Sequence, residues 1–186
     1  MKASKKQSLT RLFALAMLIG YAINGKAQAF DGDDDCKLHA GYINFGKQHG
    51  GEIGIDYGFS DYLSYGVAMR VVEPYVYEDG EKNILNGMDA AVNVKYHFQA
   101  TLELPQELDF FVGAQAGLSG NLGLNVGVCY NFGEVVGVYA RAERNLFEAW
   151  HLGLKDTSPF KNNWGFSVGL TFNLDFNSIR EQKVLD

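Results

Sequence analysis

The residue types that could carry covalent chemistry sit in two places. Near the end of the chain, "HLGLKDTS" supplies His151, Asp156, Thr157 and Ser158, and an earlier stretch supplies His49 with Glu52. A nucleophilic hydrolase needs a hydroxyl and a base within hydrogen-bond reach, with a third group orienting the base. Spacing within a loop does not create that geometry, so both sets read as solvated loop residues. His39 and His97 are expected inside the fold as hydrogen-bonded residues rather than as ligands. Asp31, Asp33 and Asp35 in "DGDDDC" have the spacing of calcium-loop oxygens. The Gly and Glu that such a loop needs further on are replaced by Cys36 and Tyr42, so a solvated acidic segment is expected. Cys36 and Cys129 form no metal spacing and leave a disulfide or two thiols open. No catalytic residue, metal or cofactor is therefore assigned, and no enzyme is expected.

A second group is charged but not catalytic in pattern: Glu52, Asp56, Arg70, Asp89, Lys95, Arg141 and Glu143. All but Glu143, which Arg144 follows, are flanked on both sides by apolar or small residues, as Arg70 is by Met69 and Val71. Alternation of this kind puts the charges on one face of a strand and the apolar residues on the other. It recurs eight times, over 37–45, 51–59, 64–72, 89–98, 109–118, 122–132, 135–144 and 163–176. The last run, "NWGFSVGLTFNLDF", is the most regular: Trp164, Phe166, Val168, Leu170, Phe172, Leu174 and Phe176 alternate with small or polar residues. Helical periodicity is absent. Segments of about 9 to 11 residues match a tilted strand crossing a bilayer.

The N-terminus adds an export signal. Lys2, Lys5, Lys6 and Arg11 precede the apolar run "LFALAMLIGYAI", and "NGKAQA" follows with Ala27 and Ala29 in an A-x-A arrangement. This order is that of a secretory signal peptide, cleaved after Ala29 on the A-x-A pattern; the apolar run is too short to span a membrane as a helix. The expected organisation is a signal peptide at 1–29, a barrel domain at 30–176 and a short tail at 177–186. Loss of residues 1–29 removes five of 16 basic residues and no acidic ones. The remaining 11 basic and 22 acidic residues give a formal charge of −11. Such a balance excludes nucleic acid as a partner.

The apolar faces decide between a soluble and a membrane barrel. Aromatics gather at strand ends that an up-and-down topology brings to one edge, among them Tyr57, Phe59, Tyr65, Tyr96, Phe98, Phe110, Tyr130, Phe132 and Phe172. A girdle of this kind marks the boundary between headgroups and hydrocarbon. The opposite face is narrow, rich in glycine and charged, which suits the interior of an eight-stranded barrel. Only a closed barrel satisfies all strand amides in lipid. The fold expected is all-β, an eight-stranded antiparallel up-and-down transmembrane β-barrel. The seven charged residues named above are expected to form a connected luminal ionic network that plugs it.

The signal peptide, "KYHF", "LDFFVGAQAGLSG", "GVYARAE" and "GFSVGLTF" together resemble the small outer-membrane β-barrel proteins of Gram-negative bacteria, the OmpA/OmpX-like porin superfamily, and most nearly a branch opening with "KAQAFDG". That resemblance covers nearly all of the mature chain. It implies residence in the outer membrane as a monomer, with lipid and the outer-membrane assembly machinery as partners, and external loops where a surface partner would bind. It also implies that Gly165, Leu170 and Phe172 belong to the C-terminal signal read by that machinery, although this chain continues past it through "NLDFNSIREQKVLD". A structural or surface-interaction role follows. The competing readings are a soluble lipocalin-like ligand carrier, a lipid-directed outer-membrane hydrolase and a small pore. In the hydrolase, the His151 to Ser158 stretch would sit at the external rim, and Phe147, Trp150 and Phe160 beside it would bind a partner or pack over the barrel mouth.

Overall fold

The computed structural model describes residues 28–73, 87–148, 159–160 and 163–174. Eight strands follow in order: β1 (Cys36–Phe45), β2 (Gln48–Ser60), β3 (Leu63–Val72), β4 (Met88–His97), β5 (Leu108–Gly117), β6 (Asn121–Asn131), β7 (Val136–Glu148) and β8 (Trp164–Asn173). Each pairs antiparallel with its sequence neighbours, and β1 pairs with β8, so the sheet closes on itself. The expected eight-stranded antiparallel barrel is the fold found, with each expected strand present and its ends displaced by a few residues. β2 and β7 extend furthest beyond expectation, to 13 residues each, because their neighbours continue to offer ladder partners at the end that holds the β1–β2 connection.

Strand parity sets the two faces. Along β3 the burial alternates without a break, from buried Ser64 through Gly66, Ala68 and Arg70 to Val72, with Tyr65, Val67, Met69 and Val71 exposed between them. Outward apolar side chains on the eight strands are about half exposed, Val92 at 57% and Val126 at 52% among them. In water this would leave a continuous oily belt far larger than a monomer tolerates. In a bilayer it is the solvated face, and the fold is that of a transmembrane barrel. Aromatic contacts thicken the belt at the end that holds the β2–β3, β4–β5 and β6–β7 turns. Tyr57 and Phe59 meet Tyr65 at 5.7 and 5.8 Å, Tyr96 meets Phe98 at 5.0 Å, and Tyr130 meets Phe132 at 5.4 Å.

Glycine makes room where strands must approach closely. Gly41 of β1 and Gly169 of β8 are register partners. A methyl on Gly169 would lie 2.2 Å from the Ala40 carbonyl oxygen and 2.7 Å from the Tyr139 ring. The paired glycines thereby open the space that the inward Tyr139 fills. The tight β1–β2 connection turns through Gly46 at a φ of 59°, a conformation that favours glycine.

The turn between β4 and β5 is longer than an up-and-down barrel requires. Its length is used at the mouth: the Gln99 side chain donates to the Gln106 carbonyl at 2.6 Å, and the Gln99 amide donates to Asp109 at 3.3 Å. The turn is thus folded back toward the lumen.

Candidate functional site

Among the described residues, the buried charge of the barrel interior includes two ion-pair clusters. In the central one, Arg70 on β3 reaches Glu143 on β7 at 2.8 Å and Glu52 on β2 at 3.7 Å. Arg141 reaches Glu143 at 3.1 Å and also pairs with Glu52. Two arginines and two glutamates therefore alternate around a closed ring of four ion pairs. Gln115 bridges it, accepting from Arg70 at 3.1 Å and donating to Glu143 at 2.9 Å. The Tyr139 hydroxyl donates to Glu52 at 2.6 Å. All four charged side chains are 2% exposed or less. Isolated charges this deep would be very costly; each here faces two opposite charges, which offsets the desolvation.

The second cluster lies one level nearer the turn-bearing end. Asp56 on β2 accepts from Lys95 at 2.6 Å and lies 3.3 Å from His39 Nδ1. Lys95 also sits over the Phe111 ring at 5.0 Å. Of the seven luminal residues singled out from the sequence, the structure thus joins four in the ring and two in this pair. Asp89 joins neither: its carboxylate accepts the Ser119 amide at 2.9 Å, beside the β5–β6 connection. Asp89 pairs in register with Arg70, but the Arg70 side chain extends across the lumen rather than along its own sheet.

A third constellation was not anticipated. Ser64 Oγ lies 2.8 Å from His97 Nε2, and His97 Nδ1 lies 2.7 Å from Asp109 Oδ2, the connectivity of a charge-relay triad. Two observations separate it from a hydrolase site. Ser64 is 1% exposed beside a cavity of about 40 Å³ roofed by Phe30, room for water but not for an ester. The strand amides around it are engaged in ladders on both sides, leaving no pair of donors for an oxyanion. Its parity was legible, since Ser64, His97 and Asp109 all fall on the inward register of their strands.

The other candidates resolve as follows. His49 is exposed and hydrogen-bonds with the Tyr42 hydroxyl and with Asn44 at 3.1 Å, whereas Glu52 points into the lumen, so those two do not form a unit. His151, Asp156, Thr157, Ser158, Trp150 and the Phe147 side chain lie outside the described residues. Phe160 is fully buried and meets Phe45 edge-on at 4.9 Å, within an apolar cluster with Ile43 and Val72 at the end that holds the β1–β2 connection. The acidic segment is not a freely solvated one: Asp35 pairs with Lys37 at 3.2 Å, and Tyr57 donates to Asp34. Cys36 and Cys129 are buried free thiols. On β8, Gly165 faces inward against Phe45, while Leu170 faces outward at 45% exposure and Phe172 shares its parity.

Comparison with known proteins agrees on the fold. Residues 20–174 match the family described as "Family of unknown function (DUF6646)". No curated protein matches the sequence. Among solved structures, a de novo designed transmembrane β-barrel superposes with a TM-score of 0.53 at 9% identity, covering 77% of this chain and 98% of that one. The N-terminal β-barrel domain of Pseudomonas aeruginosa OprF superposes with a TM-score of 0.50 at 17% identity, covering 77% of this chain and all of that one.

Proposed function

The chain belongs to the DUF6646 family, and we propose that it is an exported, monomeric integral protein of the outer membrane, with a structural or surface-interaction role and a lumen closed by its own side chains. One observation carries the reading: the ring of Glu52, Arg70, Arg141 and Glu143 crosses the bore from β2 and β3 to β7. An eight-stranded barrel leaves an interior that side chains can fill, and a ring tied on both sides does not swing aside to pass ions. The apolar cluster of Phe45 and Phe160 supports closure at the external end. In this reading lipid covers the outer belt, the assembly machinery reads the end of the chain including Gly165, Leu170 and Phe172, and the external loops meet any surface partner.

The outward belt argues against the lipocalin-like carrier, which would hold its aromatics inside. The hydrolase read from His151 and Ser158 falls on residues outside the described ones, and the buried Ser64 offers it no second site. Planar-bilayer recording tests the closed lumen: the purified barrel is expected to give no steady single-channel current. A large, stable conductance would replace this reading with a small pore. Fractionation tests the placement. The protein is expected in the outer-membrane fraction, migrating differently on gels before and after heating; recovery in the soluble periplasm without detergent would overturn it.

A further inference from the structure

The mouth at the turn-bearing end is closed by residues that precede the barrel. The Phe30 ring is 5% exposed and lies flat on His97, with centroids 3.7 Å apart and planes 2° from parallel. Ala29 is 1% exposed. Its amide donates to the Gln106 carbonyl at 2.7 Å, and its carbonyl accepts from Lys37. The Gln28 carbonyl accepts from Asn173 at 3.0 Å and from Asn131, the latter fully buried. Further along, the segment is pinned to β2, where the Gly58 amide donates to the Asp35 carbonyl at 2.7 Å and the Asp34 amide to the Gly58 carbonyl at 3.2 Å.

We propose that the mature chain begins at Gln28, not Phe30, and that Gln28–Phe30 is retained as a built-in cap over the Ser64–His97–Asp109 cavity. The inference rests on the export reading given above. A cut after Ala29 would take away the carbonyls that fully buried Asn131 and half-buried Asn173 now reach, and would leave Lys37 with Asp35 alone. Each such loss costs the desolvation of the orphaned group. It would also put the new α-ammonium on Phe30, in a nearly dry mouth, one bond from the carbon whose oxygen Lys37 now holds. The two ammonium groups would then share the one carboxylate beside them, that of Asp35, 3.2 Å from Lys37, with little water to screen the second positive charge. A cut after Ala27 puts the ammonium on Gln28, which is half-exposed, and keeps every contact. Gly25 and Ala27 provide the small residues that the peptidase requires, so this bond satisfies the same rule as the A-x-A pattern two residues later.

The test is the N-terminal peptide of protein purified from the outer membrane, identified by mass spectrometry. A start at Gln28, free or cyclised with loss of ammonia, is the expected result. A start at Phe30 overturns the proposal while leaving the export reading intact, and an unprocessed Met1 start sinks the export reading itself. The cap has its own readout. Cys129 is 4% exposed and lines the cavity under Phe30. In a Cys36→Ala background, its alkylation by a small maleimide should be slow and should accelerate roughly tenfold or more in Phe30→Ala, because access limits the rate at a buried thiol. Equal rates in the two proteins would show that Phe30 is no cap.

Discussion

Arg141→Ala should destabilise the folded barrel by about 3–5 kcal/mol, the range for breaking a buried ion pair by removing one partner. The guanidinium is 2% exposed and serves both Glu52 and Glu143. Without it, two buried carboxylates must share Arg70, which holds Glu143 at 2.8 Å but stands 3.7 Å from Glu52. Glu52 keeps the Tyr139 hydroxyl, a single neutral donor for an uncompensated charge. Urea unfolding in lipid vesicles measures the loss. Glu52→Gln added to Arg141→Ala should restore part of it, since the charge left over is then removed as well, and a double-mutant cycle isolates that coupling. A loss below about 1 kcal/mol, the value of a solvated surface pair, would mean that water fills the lumen and screens the orphan. The closed-lumen reading would then fall with it.

The ring is partly legible in the sequence. Inward parity for Glu52, Arg70 and Arg141 follows from the apolar or small residues on either side of each, and that of Glu143 from its position two residues after Arg141, because a strand alternates strictly. Their pairing does not follow. Glu52 and Arg141 lie 89 residues apart, on strands that are not neighbours in the sheet, and they meet only because the barrel closes and its diameter brings opposite walls within reach of an arginine. Parity made Asp89 an equal member of the network, and it even stands in register with Arg70; what separates it is side-chain direction, since its carboxylate accepts the Ser119 amide while the Arg70 guanidinium reaches Glu143 and Gln115.

Ser64, His97 and Asp109 illustrate the same limit. Each sits on the inward register, yet no local signal states that Ser64 of β3 and Asp109 of β5 share the depth of His97 between them. The cap is the least legible feature. Gln28–Phe30 has no periodicity to read, and its partners Asn131, Asn173 and Gln106 come from the β4–β5 turn and the ends of β6 and β8. A cleavage pattern is local, whereas the contacts that give meaning to the residues beside it are tertiary.

The second large effect expected is on the outer face, and it separates lipid from water as the solvent there. Val126 stands at the middle of β6, 52% exposed, opposite Val112 of β5 and Ala142 of β7. If that face is in hydrocarbon, Val126→Arg should cost about 2–4 kcal/mol, the price of a guanidinium at the bilayer midplane. Asn125, its neighbour in the chain, points the other way and donates to Gln115 at 3.3 Å. Asn125→Ser should cost about 1 kcal/mol, the net worth of one such hydrogen bond. The comparison is made by urea unfolding of both variants in vesicles. A soluble barrel reverses the expectation, because an arginine on a wet surface changes stability little while the lost luminal hydrogen bond is felt in either solvent. Equal penalties, or a smaller one for Val126→Arg, would therefore remove the bilayer from the account of the outer belt.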